Sequence, residues 1–157
     1  MHFAVVAAPL ARTHRARRKG WKGTGCMTDD KDLVRSWLDM TSMGPAEAWE
    51  GKVAADVVVR LPYAPPGVVP EMRGFDAARD TLGHHWGTKK SFAWHDVVIR
   101  ATEDPELFVT TARSKAEMAD GTSYGNDYIL LTRVRNGRIV EHTEYFNPLP
   151  VVALLGG

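Results

Sequence analysis

Near its C-terminal end the chain reads Arg138-Ile139-Val140-Glu141-His142-Thr143-Glu144-Tyr145-Phe146-Asn147-Pro148. The segment is typical of a β-strand, and its closing proline cannot continue a strand ladder. Since alternate residues of a strand share a face, Val140, His142, Glu144 and Phe146 are predicted to lie together. That face combines two titratable groups with two apolar ones, which is unusual both for a solvated surface and for a plain core. The pattern therefore predicts that this strand lines a pocket.

Three further long strands are predicted before this one, over residues 92–102, 107–118 and 124–135. Asn136-Gly137, just before the final strand, is a strong signal for a two-residue hairpin. A shorter strand is expected at 54–61, and helices are expected from residue 28, at 46–50 and over 76–86. Residues 149–155 predict a terminal helical turn or an edge cover. This order indicates an α+β fold, with helices on one face of a curved antiparallel sheet that leaves one end open around a cavity.

Composition narrows the class of protein. The length of 157 residues fits one domain, and 44% hydrophobic with 25% charged residues is ordinary for a globular protein. Cys26 is the only cysteine, so an internal disulfide framework and a cysteine-rich metal site are excluded. No apolar run approaches the ~18 residues of a membrane span. We therefore expect a cytoplasmic protein that does not enter the membrane.

The charge is distributed unevenly along the chain. Residues 1–26 hold six basic and no acidic residues, which leaves 14 basic against 19 acidic residues in the remainder. The mildly acidic remainder gives no reason to expect nucleic-acid binding. We expect residues 1–27 to form a disordered basic segment and residues 28–157 to form the domain. For the segment, an organellar transit peptide is one alternative, and a true translation start at Met27 is the favoured one.

The helix at 76–86 carries two adjacent histidines, His84 and His85. Phe75, Ala78, Leu82 and His85 recur at helical spacing, so His85 is predicted on the buried stripe and His84 about 100° away from it. A lone histidine on a buried helix face is more often a hydrogen-bonded core residue than a catalyst. The chain has no Gly-rich phosphate loop, no GxSxG elbow and no HExxH motif, and we expect neither a metal nor a cofactor.

Four segments, in order and with matching spacing, carry a resemblance to a known family: Val97–Pro105, Tyr124–Tyr128, Asn136–Ile139 and Glu144–Pro148. The chain resembles the SnoaL-like (nuclear transport factor 2-like, ketosteroid isomerase-like) superfamily, with the phenazine-biosynthesis A/B proteins as the closest group. The resemblance implies a cone-shaped α+β barrel whose curved antiparallel sheet wraps around helices. Such barrels usually pair through the broad sheet, which implies a homodimer through strands 107–118 and 124–135, where Val109, Ile129 and Leu131 would otherwise be exposed.

The resemblance also implies roles for particular residues. Glu144, three residues before Asn147-Pro148, is the acid in the pocket, and His85 is its favoured counterpart, although His84 stays open for that role. Hydrogen bonds to substrate are implied from Asn126 and Tyr128. His142 is predicted either to contact the ligand or to support Glu144. Trp94 is predicted to form a wall of the pocket or to pack in the core.

Two functional hypotheses follow. A carboxylic acid in an apolar cavity can transfer protons next to a carbonyl, and a histidine can supply the complementary transfer. The first hypothesis is therefore a cofactor-independent isomerase, cyclase, dehydratase or condensation enzyme acting on a small hydrophobic, carbonyl-containing metabolite. The second is a non-catalytic ligand-binding or dimerisation module in which Glu144 is held in a structural ion pair by Arg60, Arg113 or His142.

Overall fold

A curved, unclosed sheet of six strands and three helices forms the fold. The computed structural model describes residues 27–42, 44 and 46–156, apart from the side chains of residues 27, 28, 46 and 86. In chain order the elements are α1 (Met27–Ser42), a 3-10 turn (Ala46–Trp49), β1 (Val53–Arg60), β2 (Glu71–Arg73), α2 (Phe75–Trp86), β3 (Lys89–Ala101), β4 (Leu107–Met118), β5 (Ser123–Arg135), β6 (Arg138–Phe146) and α3 (Pro148–Leu154).

The predicted α+β class and the four-strand meander are confirmed, and the predicted boundaries agree with the structure within three residues. The three-residue strand β2 was not predicted. The predicted basic segment at residues 1–27 falls outside the described residues except for Met27, which begins α1. That part of the domain assignment stays a prediction.

The strand order is β2-β1-β6-β5-β4-β3. Neighbouring strands are antiparallel except for β1 and β6, which run parallel, so the sheet is mixed where an antiparallel one was expected. Parallel pairing requires a long connection between the two strands. Here α2 and the β3–β5 meander supply it, and β6 therefore lies in the middle of the sheet.

A β-bulge in β3 determines which of its side chains face inward. The register shifts by one residue around Asp96, whose φ is +51°, a conformation that aspartate tolerates better than most residues. As a result Phe92 and Trp94 face the interior before the bulge, and Val97 and Ile99 face it afterwards. The alternation predicted for a regular strand therefore reverses halfway along β3.

A β-bulge also lies at the start of β6. Val140 is the extra residue, because Arg133 pairs with Glu141 while the next residue of β5 pairs with Ile139. Ile139 is consequently fully buried and takes the inward position that the sequence had assigned to Val140. Beyond the bulge the prediction holds, since His142, Glu144 and Phe146 share the inner face with Ile139.

The core lies between the inner face of the sheet and the helices. α1 contributes Val34, Trp37 and Leu38, and the ring of Trp37 lies 4.9 Å from that of Trp49 in the 3-10 turn. Both tryptophans are fully buried. This packing closes one end of the interior, so the inner face beyond it can line a cavity.

Candidate functional site

One cavity lies against the inner face of the sheet and has a volume of about 190 Å³. Drug-sized ligand sites commonly measure about 300–1,000 Å³, so this cavity fits a small metabolite. Side chains from the sheet, the ends of α1 and α2, the β1–β2 connection and α3 line it: Thr41, Ser42, Leu61, Val68, Leu82, His85, Thr88, Lys89, Phe92, Trp94, Met118, Tyr124, Tyr128, Glu144, Phe146, Val151 and Leu154. Most of this wall is apolar, and few of its groups can titrate.

Glu144 lies in the cavity wall with a side chain that is 17% exposed. Its Oε1 is 3.1 Å from Nε2 of His142, two residues before it on the same face of β6. No hydrogen bond to Oε2 occurs within residues 27–42 and 46–156. One carboxylate oxygen is therefore held in place, and the other is available to a ligand.

His142 lies behind Glu144 and is fully buried. Its Nδ1 is 2.9 Å from Oγ1 of Thr132 on β5, and its ring meets Trp37 edge-on at 5.4 Å. Both ring nitrogens are thus occupied, and neither reaches the cavity. The structure withdraws His142 from the cavity, against the expected ligand contact, and its support of Glu144 stays a prediction.

The two arginines considered as partners for Glu144 lie elsewhere. Arg60 pairs with Glu71 at 3.0 Å, and Arg113 pairs with Asp127 at 2.9 Å on the outer face of the sheet. Of the three partners predicted for a structural ion pair with Glu144, only His142 is in contact with it. A histidine carries a full charge only when it is protonated, so this partner neutralises the carboxylate less than an arginine would.

A chain of hydroxyl groups lies beside Glu144. Ser114 Oγ donates to the hydroxyl oxygen of Tyr128 at 3.3 Å, and the hydroxyls of Tyr128 and Tyr124 are 3.1 Å apart. Burial raises the pKa of Tyr124, and burial also raises the pKa of Tyr128 far above its usual range. Both phenols therefore remain protonated and can act as hydrogen-bond donors at neutral pH.

Asn126 supports this chain without lining the cavity. Its Nδ2 donates to the Tyr124 hydroxyl at 3.0 Å and to the carbonyl of Asn147 at 2.8 Å. Its Oδ1 accepts from the backbone N–H groups of Asn147 and Asp127. All donors and acceptors of the side chain are used, so the predicted contact between Asn126 and substrate is corrected to a positioning role.

The two histidines of α2 differ in position. His85 lines the cavity but is exposed at its mouth, which corrects its predicted place on a buried stripe, because the last turn of α2 extends past the covered part of the helix. Desolvation on the cavity side lowers the pKa of His85, and the charges of Lys89 and His84 lower it further. His84 is exposed and does not line the cavity.

Trp94 forms a wall of the cavity. Its Nε1 donates to the carbonyl of Leu38 at 2.9 Å, and its ring packs against Phe92 and Tyr128 at 5.0 Å each. With the indole N–H used by α1, the residue offers a ligand only its apolar surface. Both proposed roles of Trp94, pocket wall and core packing, describe part of its environment.

Sequence reasoning missed Tyr124 and Lys89 as cavity residues. Tyr124 was recoverable, because it shares a strand face with Asn126 and Tyr128 at period two. Lys89 could not be found from the pattern, since the predicted strand began three residues too late and a register shift between Lys89 and Ser91 turns Lys89 inward in place of Lys90. Thr132 was recoverable only by pairing β5 with β6, which places it opposite His142.

Within residues 27–42 and 46–156, none of the helices is long and apolar enough to cross a membrane. Across the same ranges, no group of three or more His, Cys, Asp or Glu side chains is placed to hold a metal ion.

Comparison with known proteins gives consistent similarities. An uncharacterised PhzA/B-like protein of Pseudomonas aeruginosa is 28% identical over 134 residues, covering 81% of this chain and 90% of that protein. Among solved structures, a putative isomerase from Bacillus subtilis has a TM-score of 0.73 at 22% identity and covers 85% of this chain and 97% of its own. A phenazine biosynthesis-related protein of P. aeruginosa has a TM-score of 0.71 at 15% identity, with 90% of each chain covered.

A putative polyketide cyclase from Xanthomonas campestris has the same fold, with a TM-score of 0.68 at 19% identity over 81% of this chain and 96% of that chain. At these identities the structural likeness shows the fold alone. A family model described as "SnoaL-like domain" matches residues 34–142, which is more than half of the chain, and it ends two residues before Glu144. This protein therefore belongs to the SnoaL-like domain family.

Proposed function

We propose that the cavity binds a small, largely apolar carbonyl compound and that Glu144 transfers a proton at the carbon next to the carbonyl. The observation that carries the proposal is the position of Glu144, which lines an apolar cavity with Oε1 held by His142 and Oε2 without a hydrogen bond from the described residues. Related structures named as a putative isomerase and a putative polyketide cyclase support a reaction of this class. Such reactions require no cofactor.

The hydrogen bonds around Glu144 suit a general base. When the carboxylate is ionised, the Thr132 hydroxyl donates to Nδ1 of His142 and Nε2–H donates to Oε1 of Glu144. Oε2 can then accept a proton from carbon while Oε1 keeps its hydrogen bond. The protonated Oε2 returns this proton to a different carbon, so the isomerisation is balanced without an external acid.

The enolate oxygen formed in this step needs a hydrogen-bond donor. If Ser114 donates to Tyr128 and Tyr128 donates to Tyr124, the hydroxyl oxygen of Tyr124 accepts both that bond and the one from Asn126. The proton of Tyr124 is then free to point into the cavity. In this arrangement Tyr124 stabilises the oxyanion, and His85 at the mouth exchanges protons with solvent.

Deuterium exchange tests the proposal whatever product the reaction forms. Ligands are first found by incubating the purified protein with a library of small cyclic ketones and detecting retained compounds by native mass spectrometry. Each bound ketone is then followed in D₂O by NMR for exchange at the carbon next to the carbonyl. We expect wild-type protein to accelerate the exchange and Glu144→Gln to lose about 10²–10⁴-fold of that rate while still binding ketone.

Glu141→Gln is the matched control, because Glu141 lies on the same strand but pairs with Arg133 on the outer face. It should leave exchange unchanged. If bound ketones exchange no faster with wild-type protein than with Glu144→Gln, the enzyme proposal is wrong.

One observation favours the second candidate, a non-catalytic ligand-binding module. The contact with His142 could by itself explain why a carboxylate is tolerated in this wall. Retained ketones that show no Glu144-dependent exchange would support this candidate.

A further inference from the structure

Two adjacent lysines begin β3 and face opposite sides of the sheet. Lys90 is exposed, and its Nζ forms an ion pair with Glu117 on β4 at 2.7 Å. Lys89 lines the cavity and is half-buried. Of the described residues that line the cavity, Lys89 is the only lysine or arginine.

The ammonium group of Lys89 has neutral partners only. Its Nζ donates to the backbone carbonyl of Ser42 at 3.3 Å and lies 4.9 Å from the centre of the Phe92 ring. No carboxylate of the described chain lies within 4.0 Å of it. Glu144 attracts it from a greater distance, and burial lowers the pKa of Lys89 against that attraction.

A half-buried cation that has no carboxylate in direct contact is an unfavourable arrangement that an anionic ligand would relieve. An ammonium has three N–H donors, and the described residues use one of them. A ligand carboxylate could accept the others while the apolar wall covers the rest of the molecule. A neutral ligand would leave the cation unpaired beside it.

We propose that the natural ligand carries a carboxylate that binds Lys89, in addition to the carbonyl group that reacts at Glu144. The inference rests on the proposed function and narrows its substrate class to small hydrophobic oxo acids. Lys89 and Glu144 would then hold the two ends of one molecule, which fixes the orientation of the carbonyl in the cavity.

The contacts of Lys89 support binding rather than covalent chemistry. A lysine that forms an imine with a carbonyl must first lose its proton. Burial acts against the ammonium form of Lys89, but the carbonyl of Ser42 and the face of Phe92 are partners that a cation binds and that give an attacking amine no base. An adduct at Lys89 after treatment of a protein–ketone mixture with borohydride would show an amine nucleophile and would overturn the inference.

Matched pairs of ligands test the inference by calorimetry. Each pair consists of an aryl carboxylate and the methyl ketone of the same shape, such as 2-naphthoate with 2-acetylnaphthalene, in a series from one to three rings. For at least one pair we expect the carboxylate to bind wild-type protein about tenfold or more tightly than the ketone, since hydrogen bonds to charged groups have such strength. Lys89→Met should remove this preference, and Lys90→Met should keep it.

Glu144→Gln separates this inference from the proposed function. Carboxylates should bind that variant at least as tightly as wild-type protein, because a negative charge has left the cavity. If no carboxylate binds, or if Lys89→Met and Lys90→Met behave alike, the inference is overturned. Glu144-dependent exchange of ketones would in that case still support the proposed function. Lys89→Gln replaces Lys89→Met in the series if the latter does not fold.

Discussion

Thr132 and Thr110 are two fully buried threonines on neighbouring strands, and their hydroxyls have opposite surroundings. Thr132 is bonded to Nδ1 of His142, whereas the hydroxyl of Thr110 has no hydrogen-bond partner among the described residues. We expect Thr132→Val to lower the free energy of unfolding by about 1–3 kcal/mol, because it leaves a buried ring nitrogen unpaired. Thr110→Val removes an unpaired hydroxyl and should cause no loss.

Urea unfolding of both variants measures this difference. Equal losses would mean that the Thr132–His142 bond contributes nothing beyond the packing of the methyl groups. Loss of the Thr132–His142 bond should also leave Glu144 less well oriented. We therefore expect deuterium exchange of bound ketone to be slower with Thr132→Val than with Thr110→Val.

The titration of His85 reports on its charged neighbours. Desolvation, Lys89 and His84 all hold the pKa of His85 below the ordinary value of 6.5. Because the lowered value belongs to the folded state, the unfolded chain binds this proton more readily, so the contribution to stability is lost as pH falls below 6.5. We expect the NMR titration midpoint of His85 to lie below 6.5 and to rise in Lys89→Met but not in Lys90→Met. A midpoint that is the same in all three proteins would place Lys89 too far from His85 to act on it.

At the scale of the element, helix α3 covers the cavity, and its stability depends on the N-cap residue Asn147. It has seven residues, too few to be stable alone, and Val151 and Leu154 attach it to the cavity. The side chain of Asn147 caps it by accepting from the backbone N–H of Leu149 at 3.1 Å. The helix should therefore open locally when the cap is removed, while the sheet stays folded.

Asn147→Ala tests this cover. Removing such a cap costs about 0.5–2 kcal/mol, so backbone amides of residues 151–155 should exchange roughly 2- to 30-fold faster. Asn136→Ala, in the β5–β6 turn where φ is +52°, is the control and should lower global stability without selective exchange in α3. Unchanged protection of residues 151–155 in Asn147→Ala would mean that packing alone holds the helix.

The elements also show what the sequence could predict. Alternation identified β4 with its observed boundaries and placed Glu144 and Tyr128 on the inner face. The bulges at Asp96 and Val140 were not predicted, because the position of an extra residue depends on the partner strand and the phase change it causes in the alternation covers only a few residues on either side. For the same reason the sequence could not decide which of three candidates pairs with Glu144. Arg60 and Arg113 are excluded by their ion pairs with Glu71 and Asp127, which depend on how the strands are arranged in the sheet.

At the scale of the whole molecule, the outer face of the sheet presents a row of apolar side chains. Val98 and Ile129 are 42% and 52% exposed, and Ile129 lies opposite the half-buried Tyr145 on β6. Val109 and Leu131 pair in the next row. Contiguous apolar surface of this kind is typical of an interface, and a two-fold dimer would place the same patch of both copies in contact.

We therefore predict a homodimer through this face, with Ile129 near its centre. Ile129→Lys should give a folded monomer in sedimentation velocity at micromolar concentration, because two new charges would be buried facing each other. Val69→Lys is the control, since Val69 is similarly exposed but lies in the connection before β2, and it should leave the dimer intact. Both variants should keep ligand binding, because the cavity opens on the opposite face of the sheet. If the wild-type protein sediments as a monomer, the dimer prediction is wrong, and self-association does not explain the exposed apolar side chains.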